Sequence, residues 1–233
     1  MSTISAILFL AIAAAPAAAP GSSDVYFEQT TVAYEEGRPS GAGVVSRVWY
    51  GGKRLRMEAG GVTPAPALIL RLDKGKAYRV DPAEKTVSVL DADRLRTRGQ
   101  MDSAMAGELM GADNARVTTT PLSGERTIAG HKCKGFRIKG GTTVMDLWVT
   151  SSLPIGIETF AGFLEWSGAA DSLGPFLGQI RALPGFPLQS RSRVTVMGET
   201  HETVATVTRV KVGAHDAAVF EPPAGYRLVE EAK

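Results

Sequence analysis

The chain has one cysteine, Cys133, and three histidines, His131, His201 and His215, in 233 residues. A single cysteine excludes an internal disulfide framework and a cysteine-based zinc site. The histidines stand far apart and form no pair at helix or strand spacing, so no metal site is expected. No G-x-S-x-G elbow, phosphate loop or dinucleotide fingerprint occurs. Without these, no catalytic residue and no cofactor is predicted, and the protein reads as a non-enzyme. Charge is sparse and balanced: 26 Lys and Arg against 24 Asp and Glu, a net +2. That balance gives no reason to expect nucleic acid as a partner. Nor is this a disordered chain, since charged residues make up 21% and hydrophobic residues 44%. No apolar run reaches the roughly 20 residues of a transmembrane helix, so no membrane span is expected.

What is present begins at the N-terminus. Ile4 to Ala15 is almost wholly apolar, small residues follow to Ala19, and the first charged side chain is Asp24. A short apolar run closed by small residues predicts a signal peptide over residues 1–19. Cleavage after Ala17 or Ala19 fits the small-residue rule. No cysteine follows the run, which excludes a bacterial lipid anchor. The expectation is an exported, soluble, periplasmic protein, with residues 20–233 as a single domain.

Most of the mature chain reads as strands. Asp24 to Tyr34 is rich in Val, Thr and aromatics, which suit a pleated surface. Gly43 to Tyr50, Gly51-Gly52 and Lys53 to Ala59 read as a hairpin, since adjacent glycines supply the positive φ of a tight turn. In the return strand Leu55 and Met57 alternate with Arg54, Arg56 and Glu58, predicting one buried and one wet face. Ala67 to Leu72, Lys76 to Val80 and Thr86 to Leu90 continue a meander through turns at Asp73-Lys74-Gly75 and Asp81-Pro82. Later strands are expected at Ala115 to Thr120, Arg126 to Ile128, His131 to Lys139, Thr142 to Thr150, Gln189 to Met197, Thr203 to Val212 and Tyr226 to Val229.

Two segments change period. Met101, Met105 and Leu109 recur every four residues and predict a short amphipathic helix stopped by Gly111. Leu153 to Pro187 concentrates Phe160, Phe163, Trp166, Phe176 and Phe186. Phe160, Phe163 and Leu164 share one helical face, and Leu173, Phe176, Leu177 and Ile180 share another. Four glycines weaken helix propensity there by about 1 kcal/mol each, so these helices depend on packing. Unbranched methionines repack easily against varied apolar ligands. Met101, Met105, Leu109, Phe160, Phe163, Trp166, Phe176 and Leu177 are therefore candidate ligand-binding residues over a greasy cleft. The same stripes equally suit a filled core, and both readings stand at this point.

Cys133 lies in a predicted strand between Lys132 and Lys134. Flanking lysines can activate a thiol. Alternation instead turns Cys133 to the opposite face from both lysines, which predicts a small buried residue.

Several motifs together resemble a known family. They are Arg54-Leu55-Arg56-Met57-Glu58 after a Gly-Gly turn and Tyr78-Arg79-Val80-Asp81-Pro82. Thr127-Ile128-Ala129-Gly130-His131-Lys132-Cys133 and Asp146-Leu147-Trp148-Val149-Thr150 follow. Gly185-Phe186-Pro187-Leu188 and Phe220-Glu221-Pro222-Pro223-Ala224-Gly225-Tyr226 complete the set. The order is similar to that of a family of uncharacterised exported bacterial proteins, a domain of unknown function laid out like the lipoprotein carriers LolA and LolB. The resemblance spans residues 24–229. It implies a mainly β fold: a curved antiparallel sheet, a half-barrel, with a few short helices closing its concave face. It also implies no established catalytic residues. The leading expectation is a periplasmic binding or carrier protein for an apolar ligand such as lipid acyl chains. The alternative is a non-catalytic interaction partner in cell-envelope assembly, with a filled core.

Overall fold

The structure, a computed structural model, describes residues 24–60, 63–91, 116–155, 170–196 and 198–230. Among them, thirteen strands form one large, open, curved sheet. The first half comprises β1 (Val25–Glu35), the two-residue β2 (Arg38–Pro39), β3 (Val44–Gly51), β4 (Arg54–Ala59), β5 (Ala67–Arg71), β6 (Lys76–Asp81) and β7 (Thr86–Asp91). The second comprises β8 (Thr118–Ile128), β9 (His131–Gly140), β10 (Thr143–Thr150), helix α1 (Ala170–Arg181), β11 (Phe186–Val196) and β12 (Glu199–Val212). A 3-10 turn (Ala217–Phe220) and β13 (Arg227–Glu230) end the chain.

Pairing runs β13-β7-β6-β5-β4-β3-β1-β12-β11-β10-β9-β8, with β2 beside β1. Two local meanders are thus joined through one long-range pair, β1 with β12, in which Val25 lies opposite Val212 and Glu35 opposite His201. Irregular registers at Glu28/Gln29, Trp148/Val149 and Pro121/Glu125 break the ladder. Such bulges bend strands and increase twist, which promotes the curvature of so wide a sheet. The last of them lies in the edge strand β8. There Pro121 withholds a donor and blunts the edge against further pairing. The sequence suggests two strands at this place. The chain instead makes one strand interrupted by a register shift.

Period-two alternation sorts the strands into two faces. The core face carries Val25 and Phe27 of β1, Val48 and Tyr50 of β3, Leu55 of β4, Leu70 of β5 and Met145 and Leu147 of β10, all buried. They belong to one cluster that spans both meanders. The outer face is dressed with cross-strand ion pairs. Arg47 meets Glu58 at 3.2 Å, Arg191 meets Glu202 at 2.8 Å and Arg209 meets Glu28 at 3.4 Å. Asp146 accepts two bonds from Arg137, at 2.6 and 2.8 Å. In each pair the arginine side chain stays in contact with water, at 32% exposure or more, which limits the contribution to about 1 kcal/mol. What the pairs mark is the polar side of the sheet, opposite the apolar core face.

One part of the outer face departs from the expected pattern. Arg56 and Glu58 of β4 are not wet, with side chains 15% and 14% exposed, and Arg54 is 28% exposed. The C-terminal segment crosses over Arg54 and Arg56. It is tied at its start by Gly213 and His215, whose backbone N–H groups donate to the Asp24 carbonyl and carboxylate at 2.9 and 3.1 Å. Asp216 caps the 3-10 turn through Ala218 N–H. Arg56 then donates to the Val219 carbonyl at 3.2 Å, and Arg71 donates to the Phe220 carbonyl and to the Glu221 carboxylate. Beyond Phe220, Tyr226 packs on a small second cluster of Ala67, Ile69, Tyr78, Val80 and Val87. Because the chain returns across the face, β13 meets β7 in the parallel sense. This is the one parallel pair in a sheet that is otherwise antiparallel among the described residues.

The β3–β4 turn also uses its glycines differently from the expectation. Gly51 ends β3, and only Gly52 has a positive φ, of 63°. Gly51 is needed for close approach instead. A Cβ there would lie 2.9 Å from Asp24 Oδ1, from Arg54 Nη2 and from the Phe220 ring.

Candidate functional site: the core face of the sheet

The core face is floored at one end by aromatic rings. Phe27 stacks on Tyr50 with ring centres 5.8 Å apart, and Phe186 meets Phe27 edge-on at 5.5 Å. Phe27 is 2% exposed and Tyr50 3%. Burial pushes the Tyr50 hydroxyl well above the usual phenol range. Ile138, Met145 and Leu147 extend the apolar floor over β9 and β10.

Helix α1 is joined to this cluster by Phe176 and Ile180, and Leu183 just beyond the helix belongs to it too. The Phe176 ring stands over Gly140, where an added Cβ would lie 3.0 Å from the ring and 2.8 Å from Val117. A glycine at the end of β9 therefore makes the seat for the helix. Gln179 reinforces the contact by accepting a hydrogen bond from Thr119 at 2.7 Å.

Of the eight residues expected to bind a ligand, the structure describes two. Phe176 and Leu177 lie on α1, each 6% exposed, with Phe176 in the main core cluster. Met101, Met105, Leu109, Phe160, Phe163 and Trp166 lie outside the described residues, as does the segment read as a signal peptide. Two features of the core face went unnoticed in the sequence. The first is a polar patch of Gln29, Ser46, Ser190 and Ser192, at 5%, 6%, 8% and 6% exposure. The available signal was the alternation Ser190-Arg191-Ser192-Arg193, which marks one face for small hydroxyls and the other for charge. The second is the buried Thr143 beside them on β10.

Cys133 is 1% exposed while Lys132 and Lys134 are exposed, as alternation predicts. Desolvation pushes its thiol up to about 11, so the thiolate needed for nucleophilic or redox chemistry is suppressed. The histidines fall on separate elements. His131 Nδ1 hydrogen-bonds the Ser152 hydroxyl at 2.7 Å, His201 sits near the start of β12, and His215 follows β12. Among the described residues no three His, Cys, Asp or Glu side chains gather as a metal site, and no helix is long and apolar enough to cross a membrane.

An open, mainly antiparallel sheet with one buried apolar face defines the architecture. Residues 39–226 match the domain-of-unknown-function family DUF4412, and the chain belongs to that family. No curated protein matches it. Among solved structures it is similar to an uncharacterised conserved protein from Thermus thermophilus, at 10% identity and TM-score 0.47, over 90% of this chain and 91% of that one. It is also similar to MucB, crystallised in complex with MucA(peri), at 13% identity and TM-score 0.42, over 89% of this chain and 57% of that one. A LolA superfamily protein from Nitrosomonas europaea is similar at 10% identity and TM-score 0.31, over 86% of this chain and 90% of that one. These scores are all below 0.5, so the strand pairing, and not the likeness, defines the fold described above.

Proposed function

We propose that this is an exported, periplasmic, non-catalytic binding or carrier protein for an apolar ligand such as lipid acyl chains. The observation that carries the reading is the continuity of one apolar face across both meanders, from Leu70 and Leu55 through Phe27 to Leu147 and Ile138. On this reading, α1 and the segments holding Met101 to Leu109 and Phe160 to Trp166 shield an acyl chain on that face. Transfer of such a chain from water is favourable by about 25 cal/mol per Å² buried. Native mass spectrometry of protein recovered from a bacterial periplasm tests it. Co-purified lipid that is released on unfolding is the expected result. Ligand-free protein that also fails to take up N-phenylnaphthylamine would overturn it.

A second reading, an interaction partner in envelope assembly, draws on the edge strand β13. Leu228 there is 63% exposed on the last strand of the pairing order. An open edge with an apolar side chain is a template for an added strand. A filled core without lipid, together with partner capture lost on Leu228→Lys, would favour this reading over the first.

A further inference from the structure

We propose that Ser190 and Ser192 form a head-group subsite for an uncharged, hydroxyl-bearing single-chain amphiphile, of the monoacylglycerol class. The proposal rests on the apolar-ligand reading and specifies the polar end of that ligand. Ser190 and Ser192 stand two residues apart on β11 and so share the core face. Gln29 lies opposite Ser46 across β1 and β3. Ser190 lies opposite Ala205 of β12, and Ser192 opposite Met145 of β10. Gln29 and Ser46 stand apart from Ser190 and Ser192, with Ala205 and Val207 of β12 between, and Gln29 donates its amide N–H to Thr31 at 3.1 Å.

The chemistry of the patch limits its occupant. Ser192 Oγ is buried and makes no hydrogen bond. A buried hydroxyl left unpaired is destabilising, and native proteins seldom keep one without a use. The arginines that alternate with it turn away: Arg191 pairs with Glu202 and Arg193 with Asp146, on the outer face. From Val25 to Thr31 on β1, Ser46 to Tyr50 on β3, Thr143 to Val149 on β10, Ser190 to Val194 on β11 and Thr203 to Val207 on β12, no residue turned to the core face is an acid or a base. A carboxylate, phosphate or ammonium head would be buried there without a counter-charge, which is prohibitive. A diol can both donate to and accept from serine hydroxyls. The neighbouring floor of Phe27 and Met145 suits the attached chain. The same face thus offers an apolar surface for a tail and an uncharged hydrogen-bonding surface for a head.

The experiment uses the full mature chain loaded with N-phenylnaphthylamine, an uncharged apolar probe. Displacement is titrated with dodecylglycerol, dodecyl sulfate and dodecyltrimethylammonium, all below their micellar concentrations. Dodecylglycerol is expected to displace the probe at about tenfold lower concentration than either ion. Ser192→Ala is expected to remove that tenfold advantage, to leave probe affinity unchanged, and to keep or raise the melting temperature because an unpaired hydroxyl is gone. Ser190→Ala supplies a second variant with the same expected loss. Equal displacement by all three amphiphiles, or unchanged selectivity in both variants, overturns the head-group subsite while leaving the apolar-ligand reading intact. Failure of the wild type to bind the probe overturns the apolar-ligand reading, and the subsite falls with it.

Discussion

The guanidinium of Arg54 lies over the Phe220 ring, with its central carbon 4.5 Å from the ring centre. This contact joins the second strand of the first hairpin to the C-terminal segment, where Phe220 is completely buried. It belongs to a set of three arginines, Arg54, Arg56 and Arg71, that face the 3-10 turn from β4 and β5. A buried arginine that satisfies backbone carbonyls and carboxylates together fixes the path of a segment that has little regular structure of its own.

Arg71 is the member whose loss should matter most. Its side chain is 7% exposed and binds Asp73, Glu221 and the Phe220 carbonyl. Removing one partner of a buried charged network costs about 3–5 kcal/mol. Asp73 and Glu221 can regain water, at 36% and 41% exposure, so about 2 kcal/mol is expected for Arg71→Ala. Urea unfolding measures this. Limited proteolysis should show new cleavage between residues 213 and 226, and an unchanged digestion pattern would show that the clamp does not hold the segment.

The same clamp should respond to acid. A hydrogen bond from Lys74, followed by one from Arg71, holds the Glu221 carboxyl below its ordinary range, and a bond from Arg71 does the same for Asp73. A carboxyl lowered in the folded state contributes stability that is present above its unfolded pKa and is lost as pH falls through the folded value. The stability gap between wild type and Glu221→Gln should therefore be complete at neutral pH. It should close as pH falls below the ordinary carboxylate range. A gap that widened toward acid pH would contradict the assignment.

Cys133 should resist thiol reagents in the native state. Burial alone blocks access, and a thiol pushed up to about 11 carries little thiolate at neutral pH. Relative to an ordinary cysteine, the thiolate fraction falls by about a hundredfold. Labelling should appear only on denaturation. Rapid native labelling would place the thiol at the surface and reopen a redox role.

The elements that were legible in the sequence are those set by neighbours in the chain. Asp73-Lys74-Gly75 and Gly140-Gly141 mark turns, and the flanking strands pair across them. The pairing of β1 with β12 was not legible, because no local signal connects Val25 to Val212. Alternation in Arg54-Leu55-Arg56-Met57-Glu58 shows which residues share a face, and it cannot show that a distant segment covers the charged one. The polar patch was hidden for a related reason. Ser190 and Ser192 look like ordinary surface residues until the arginines between them are seen to take the wet face. Of the candidate ligand residues, Phe176 was found by its helical spacing with Ile180, which the helix confirms as a shared buried stripe.

Export gives a prediction independent of the core. Protein recovered from a periplasmic fraction should begin between Ala18 and Gly21, which intact-mass measurement determines directly. A mass that retains Met1 would mean that the apolar N-terminal run is not a cleaved signal.

The seat of α1 permits a test of packing by paired substitutions. Gly140→Ala places a methyl 3.0 Å from the Phe176 ring, closer than carbon atoms normally approach. Overpacking of this kind costs about 1–3 kcal/mol. Phe176→Ala removes a ring that is 6% exposed, and such deletions cost about 3–5 kcal/mol in a filled core. In the double variant the alanine methyl no longer meets the ring but still lies 2.8 Å from Val117, so the cost of Gly140→Ala should fall without vanishing. Urea unfolding of the four proteins gives the coupling, expected at about 1–2 kcal/mol. Additive costs would show that Phe176 does not rest on Gly140. The size of the Phe176→Ala effect also bears on function. A loss of only about 1 kcal/mol, accompanied by weaker probe binding, would mean that the ring borders a space open to ligand. A full loss with probe binding retained would mean that it completes the core.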